Sequence, residues 1–345
     1  MGSRVYEGHQ AHGDAACVAL LREAGAIILG KTVTCEFAGV APSITRNPLN
    51  PAHTPGGSSS GSAAAVADFM VPAALGTQTS GSVLRPASFC GVIGFKPTFN
   101  TINREGTKLA SENLDTIGVI TRHVEDAALL LQVMTRSAPH PLQGASFAPR
   151  LGLCRTVLCD EKVEPATRTI LENAAAKARA AGATVIDFEL PADFVRIGEA
   201  RVILDCVERS RGLASEWTHH RMSLSPQLVA AIERGLATSQ SDYQDALRFL
   251  ESTRQCFDML IECFDGLITP TVNGEAPYGM GSTGDAALQG FWTALYAPTI
   301  SIPAGVGPAS MPIGLQLVAR RYADEKLLEV ALWMQQKAGI VATAL

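Results

Sequence analysis

The sequence lacks an apolar run long enough to cross a membrane. Its most apolar stretch, Ala63 to Leu75, is interrupted by Asp68 and Pro72. Met1 to Gln10 carries no apolar core of a secretory signal. Charge is sparse: 18% of the residues are charged and the net charge is −5, which argues against broad, non-specific binding to nucleic acid. The eight cysteines contain no C-x-x-C pair. In a chain of this length without a secretion signal they read as reduced, mostly buried thiols, and a cytoplasmic protein is expected. No internal repeat is visible. Apolar material is plentiful, 47% of 345 residues, enough for a large packed core and too much for a disordered chain. Length alone suggests about two domains, but α/β folds often run longer as one unit.

Asp14 to Ala24 predicts a helix, with Asp14 suited to its start, Val18, Leu21 and Ala24 on one face, and Gly25 at the C-terminal cap. Ala26 to Leu29 predicts a short buried strand. Residues 41–57 hold four prolines, three asparagine or histidine residues and two glycines, so a long loop is expected, a length that is often functional. Ser62 to Asp68 opens a small-residue helix. Val119 to Met134 contains a helix with Ala127, Leu130, Leu131 and Met134 as its apolar positions. Residues 136–150, with three prolines, read as a connector and the best candidate for a lobe junction. Beyond it, strands are predicted at Leu151–Leu158, Thr184–Leu190, Asp265–Pro270, Thr299–Pro303 and Ile313–Ala319. Helices are predicted at Pro165–Ala181, 197–222 and 241–264. Strands alternating with helices predict an α/β fold with a parallel or mixed sheet.

Two segments carry the chemistry: Pro55-Gly56-Gly57-Ser58-Ser59-Ser60-Gly61-Ser62 and Gly76-Thr77-Gln78-Thr79-Ser80-Gly81-Ser82. The first could be a flexible Gly/Ser linker, but linkers join separate domains and this one runs straight into the helix-forming Ala63 to Ala67. Gly57 to Gly61 also fits the G-x-S-x-G nucleophile elbow, which needs a strand before it, whereas Asn47 to Gly56 is proline-rich loop. Gly25 to Thr32 fits the phosphate-binding G-x-x-x-x-G-K-[ST] pattern letter for letter. That motif requires strand then helix, and the order here is the reverse.

Taken together, the segments resemble the amidase-signature family. The matching stretch is Gly56 to Thr98, GGSSSGSAAAVADFMVPAALGTQTSGSVLRPASFCGVIGFKPT. Flanking pieces resemble other family landmarks: Asp14 to Ala38, Leu114 to Leu131, Asp265 to Pro270, Pro298 to Gly305 and Pro312 to Leu328. Residues from about 150 to 260 match weakly. The resemblance implies a single α/β/α sandwich over residues 1–345 around a twisted mixed β-sheet, an amide hydrolase working through an acyl-enzyme, and a Ser-Ser-Lys triad. By motif position Ser82 is the nucleophile. Ser58 is the bridging serine, usually held by a cis peptide bond. Backbone N–H groups of Thr79, Ser80, Gly81 and Ser82 form the oxyanion hole.

A serine hydroxyl is a weak nucleophile and needs a nearby base. In this family a neutral lysine, its pKa lowered by burial away from acids, takes a proton from the bridging serine, which takes one from the nucleophile. Small residues at 80 and 81 let backbone donors converge on the developing oxyanion, where losing one donor costs about 10²–10³ in rate. No histidine is required, and His219-His220 reads as a solvated helix pair. Arg85 has two readings: a structural ion pair, or a fork for a substrate carboxylate, which would suit a small acidic amide. Gln78 stands where many family members have aspartate. Ser80 stands where many have glycine, and it would be strained if its φ had to be positive. Lys31 and Lys96 read as structural.

The expected substrate is a linear small-molecule amide. No cofactor or metal is expected, nor a nucleic-acid or membrane partner, and a homodimer is left open. Two alternatives stand: a glutaminase subunit of a tRNA-dependent amidotransferase, and an inactive amidase-like scaffold. The resemblance places the catalytic lysine in a V-K-D type stretch upstream of the piece that Met1 to Tyr6 matches. The chain is therefore expected to lack the family's N-terminal segment and its base, as a truncated product, a processed fragment or a pseudoenzyme. Turnover of these 345 residues should then be several orders of magnitude below that of an intact triad. Ammonia release at a full family rate would overturn that expectation.

Overall fold

The computed structural model describes residues 1–155 and 162–341. In chain order the helices are α1 (Ala16–Glu23), α2 (Ser60–Ala67), α3 (Leu84–Phe89), α4 (Val124–Met134), α5 (Pro165–Ala180), α6 (Ile197–Gly212), α7 (Ala214–His220), α8 (Pro226–Ala237), α9 (Gln240–Leu260), α10 (Ala287–Ala294) and α11 (Asp324–Gln336). The strands are β1 (Ala73–Gln78), β2 (Ile93–Lys96), β3 (Thr116–Thr121), β4 (Arg150–Cys154), β5 (Thr184–Phe188), β6 (Gly266–Pro270), β7 (Thr299–Val306) and β8 (Pro312–Val318). All eight form one sheet in the order β1-β3-β2-β7-β8-β6-β4-β5. β4 runs parallel to β5 and β6, and the other pairings are antiparallel. This is the mixed α/β sheet the sequence predicts.

Helices cover both faces. On one, α1, α4, α5 and α11 pack through Leu21, Leu131, Leu171, Leu328 and Trp333 onto Phe95, Ile300, Ile302, Leu315 and Leu317. On the other, α2 and α3 pack on Ile120, while α6, α9 and α10 pack on Leu267 and Val318. Strands buried on both faces lose strict polar alternation, which is why Gly266–Pro270 and Pro312–Val318 are buried at every position. Five of the seven described cysteines are buried.

Several elements fall near their predicted places. α1 spans residues 16–23 and Gly25 takes φ +90°, the left-handed conformation of a C-terminal cap. Asp14 does not cap this helix; its carboxylate accepts from Arg22 at 2.8 Å. The expected strand at 26–29 is absent. Residues 32–35 dock instead on the start of α2, with the Gly61 N–H donating to the Val33 carbonyl and Thr32 and Ser62 sharing a hydrogen bond of 2.8 Å. Residues 26–29 have no strand to pair with, and Ile27 and Leu29 are 90% and 73% exposed. Strand β4 ends at Cys154, and residues 156–158 of its predicted span lie outside the described residues. The predicted 197–222 helix breaks at Leu213 into α6 and α7. α8 is an addition to the predicted elements, although Ser225 caps it and Pro226 opens it.

β1, β2 and β3 are also absent from the predicted elements, and glycine is the reason. α3 lies directly on the sheet over Gly94 and Gly118. A Cβ on Gly94 would meet the Ala87 Cβ at 2.6 Å, and one on Gly118 would meet the Val83 side chain at 3.1 Å. Glycine weakens the strand pattern in the sequence while permitting the close approach.

Lys96, at the end of β2, is fully buried and donates to the Pro97 carbonyl at 2.7 Å. Burial pulls its pKa down to about 7, against the opposing attraction of Asp324. The folded value lies below that of the unfolded chain, so the unfolded chain binds more protons between these values and stability should rise with pH from about 7 towards about 10. Lys96→Met should flatten that rise, which approaches about 1.4 kcal/mol per pH unit, in denaturant titrations run at several pH values. An unchanged slope would show that Lys96 is not the titrating group.

Candidate active site

The two glycine-flanked turns meet on the face of the sheet that α3 covers. Gly56 takes φ +79°, and Gly57 is hemmed in: an added Cβ would lie 2.8 Å from Cys35 Sγ and 2.9 Å from Thr283 Cγ2. The Gly57–Ser58 peptide bond is cis, the conformation the resemblance implies. The Ser58 carbonyl accepts from Thr34 Oγ1 at 2.9 Å and from the Cys35 N–H at 3.1 Å, which fixes the turn against the 32–35 segment. Ser58 is 1% exposed, and among the described residues its hydroxyl has no partner. The Ser59 N–H donates to the Ser82 carbonyl at 3.2 Å, joining the two turns directly.

The second turn follows β1. Gln78, fully buried, accepts from the Val83 and Leu84 N–H groups at 2.9 and 3.1 Å and donates to Thr293 Oγ1 at 3.0 Å. It thereby ties the end of β1 to the start of α3 and to α10. Thr79 Oγ1 donates to the buried carboxyl of Asp115, whose pKa burial raises. The Ser80 carbonyl accepts from Thr293 Oγ1 at 2.7 Å, and its hydroxyl accepts from Arg201 at 2.6 Å. Ser80 is not among the residues with positive φ, so serine is unstrained there. A Cβ on Gly81 would collide with Gln289 Oε1, so any larger residue would push the Gln289 carboxamide aside. Among the described residues, no protein acceptor takes the N–H groups of Thr79, Ser80, Gly81 or Ser82. Four successive amides without protein acceptors make a place suited to an anionic oxygen.

Arg85 lies in α3 three residues after Ser82 and is 4% exposed. Its Nη2 donates to the Gly57 carbonyl at 2.7 Å and to Thr283 Oγ1 at 3.3 Å, while its Nε has no partner. Among the described residues it forms no ion pair, so the structural-pair reading of the sequence does not hold. Burial lowers its pKa to about 10, with Cys35 and Asp285 opposing. Lys31 is exposed, and no helix follows the phosphate-loop-like pattern that contains it.

Ser58, Ser82, Thr79, Ser80, Gly81 and Arg85 thus gather at one place. Asp115, Arg201, Thr283, Gln289 and Thr293 complete its walls. These come from distant segments, and spacing along the chain carries no sign of them. The one hint is a serine at position 80 where many related chains have glycine.

Comparison with known proteins identifies the family. A family model described as amidase matches residues 1–328. A glutamyl-tRNA(Gln) amidotransferase subunit of Alkaliphilus metalliredigens (strain QYMF) is 30% identical, over 95% of this chain and 77% of that protein. A crystal structure of an amidase superposes with a TM-score of 0.86 at 30% identity, covering 93% of this chain and 77% of its own. The structure of 6-aminohexanoate cyclic dimer hydrolase complexed with substrate gives 0.85 at 27% identity, covering 96% and 79%.

Gln78→Leu should remove the carboxamide and leave the Val83 and Leu84 N–H groups buried without acceptors. A loss of about 2–4 kcal/mol is expected from two such orphans, read by chemical denaturation. A loss well below about 1 kcal/mol would show that this tie is dispensable.

Proposed function

The chain belongs to the amidase family, and on that premise we propose that it hydrolyses a small, linear, carboxylate-bearing amide through an acyl-enzyme on Ser82. One observation carries this reading. Among the described residues, two serine turns are joined by the Ser59 N–H to Ser82 carbonyl bond, beside four amides without acceptors and a buried Ser58 hydroxyl without a partner. Ser82 Oγ attacks the substrate carbonyl and passes its proton to Ser58 Oγ as Ser58 yields its own proton to a base, from which it returns by the same path to the leaving amine. The N–H groups of Thr79, Ser80, Gly81 and Ser82 receive the oxyanion as the tetrahedral intermediate forms. The amine leaves with a proton, and water then attacks the Ser82 ester by the same route. In the family a neutral lysine relieves Ser58 of the proton. Lys96 is engaged by the Pro97 carbonyl and Lys31 is exposed, so neither is assigned that role. No step calls for a cofactor.

The carboxylate preference rests on Arg85. A buried cation without a counter-charge is costly unless a ligand supplies one, and a guanidinium offers a carboxylate a planar fork. Its unpartnered Nε supports this role.

A second reading is favoured by the relatives named as glutamyl-tRNA(Gln) amidotransferase subunits: this chain would act as the glutaminase component of a tRNA-dependent amidotransferase. Co-purification with a second protein chain, together with ammonia release specific to glutamine, would select it.

A fluorophosphonate probe, mapped by mass spectrometry, should modify Ser82 and no other serine. Ser82→Ala should abolish labelling, and Ser58→Ala should slow it by about 10³ or more, as for loss of one member of a catalytic unit. Labelling that persists in Ser82→Ala would exclude the acyl-enzyme on this residue, whereas no labelling of any serine would favour the scaffold.

A further inference from the structure

Arg201 lies in α6, 121 positions from Ser80. Its Nη1 donates to Ser80 Oγ at 2.6 Å, which sets the guanidinium beside the turn that carries the four acceptor-free amides. Space for it comes from α10: a Cβ on Gly290 would lie 2.8 Å from Arg201 Nε and 3.3 Å from Cζ. Asp205, one turn further along the same helix, is the acid that attracts it most, but it pairs with Arg209 at 2.8 Å. Among the described residues no ion pair involves Arg201.

Arg85 is in the same condition, and Arg201 is near enough to bear on its charge. Burial weakens both cations. Asp285 attracts both without pairing with either; its own carboxylate accepts from the Ala287 N–H at 2.7 Å and faces Lys162 at 3.6 Å. Two like charges whose hydrogen-bond acceptors here are neutral repel one another, and a bound anion converts that repulsion into attraction.

We propose that Arg201 and Arg85 together form a two-guanidinium receptor for the substrate's carboxylate, with Ser80 holding Arg201 in place, so that Arg201 determines specificity for acidic amides. The idea deepens the carboxylate-bearing reading above and rests on it. It also gives the serine at position 80 a purpose: a glycine there would leave Arg201 Nη1 without its hydroxyl acceptor.

Binding, rather than turnover, tests this. In a Ser82→Ala background, calorimetry would compare succinamate with its uncharged isostere 4-oxopentanamide. The expected result is succinamate binding at least about tenfold tighter, as a charge-assisted fork implies. Arg201→Met should cut that preference several-fold, leaving the part that Arg85 carries, while the affinity for the ketone stays within about twofold. Gly290→Ala is the second variant. It introduces a better helix former, so α10 should keep or gain stability, while its methyl displaces the Arg201 guanidinium and the preference falls. If Arg201→Met fails to fold, Gly290→Ala decides.

The inference is overturned by a preference that is undiminished in the folded variants, by equal weakening of both ligands, or by no preference in the background protein. Its failure is distinguishable from failure of the hydrolase reading. Fluorophosphonate labelling of Ser82 without carboxylate preference sinks only the receptor. Carboxylate preference without labelling sinks only the acyl-enzyme.

Discussion

The site depends on how closely α3 can approach the sheet. Ser82 and Arg85 are presented by a turn and a short helix that lie over Gly94 and Gly118, where a methyl on Gly94 would collide with Ala87 and one on Gly118 would collide with the Phe95 carbonyl and press on Val83. Raise that helix by the width of a side chain and three things fail together. The Ser59 N–H loses the Ser82 carbonyl, Gln78 loses the Val83 and Leu84 N–H groups, and Arg85 loses the Gly57 carbonyl. Close approach of backbone to backbone is the use to which glycine is put here, and the weaker strand propensity of β2 and β3 is the accompanying cost.

That same requirement explains what could be read from the sequence and what could not. β6 and β8 are legible because strands buried on both faces appear as apolar runs. α5 is legible from its opening proline and its apolar spacing. β1, β2 and β3 are obscured by the glycines that let α3 sit down. The run Ala26 to Leu29 has the composition of a strand but no neighbour to pair with. A strand is a relation between segments, and four apolar residues cannot reveal whether a partner exists. In β7 the alternation becomes meaningful once the faces are known: Ile300 and Ile302 enter the apolar core, while Ser301 shares a hydrogen bond with Thr271 beneath the signature turns.

The candidate site divides in the same manner. Residues 58, 79–82 and 85 sit in one continuous motif and can be named from it. Their supports cannot. Thr79 is anchored by Asp115 from the start of the β3 region, Ser80 by Thr293 from α10 and Arg201 from α6, and Gly81 is packed by Gln289 from α10. Each contact is made across sequence separations that carry no spacing signal. The reactive groups are thus local in sequence, whereas the residues that hold them at fixed geometry are brought in by the fold.

The electrostatics follow from this division. Arg85 serves structure through one nitrogen, which holds the Gly57 carbonyl, and leaves another without a partner. A neutral donor such as asparagine or glutamine could supply a bond to that carbonyl without the cost of desolvating a charge. Retaining a full charge at 4% exposure, with no carboxylate paired to it, is therefore poorly explained by the structural bond alone. Compare Arg209, equally buried, whose charge is met by Asp205 at 2.8 Å. The fold supplies a counter-ion where an arginine is only structural, and around Ser82 it supplies hydroxyls and carbonyls instead. Neutral acceptors orient a guanidinium without discharging it, so the charge remains available to the anion that binds beside the nucleophile.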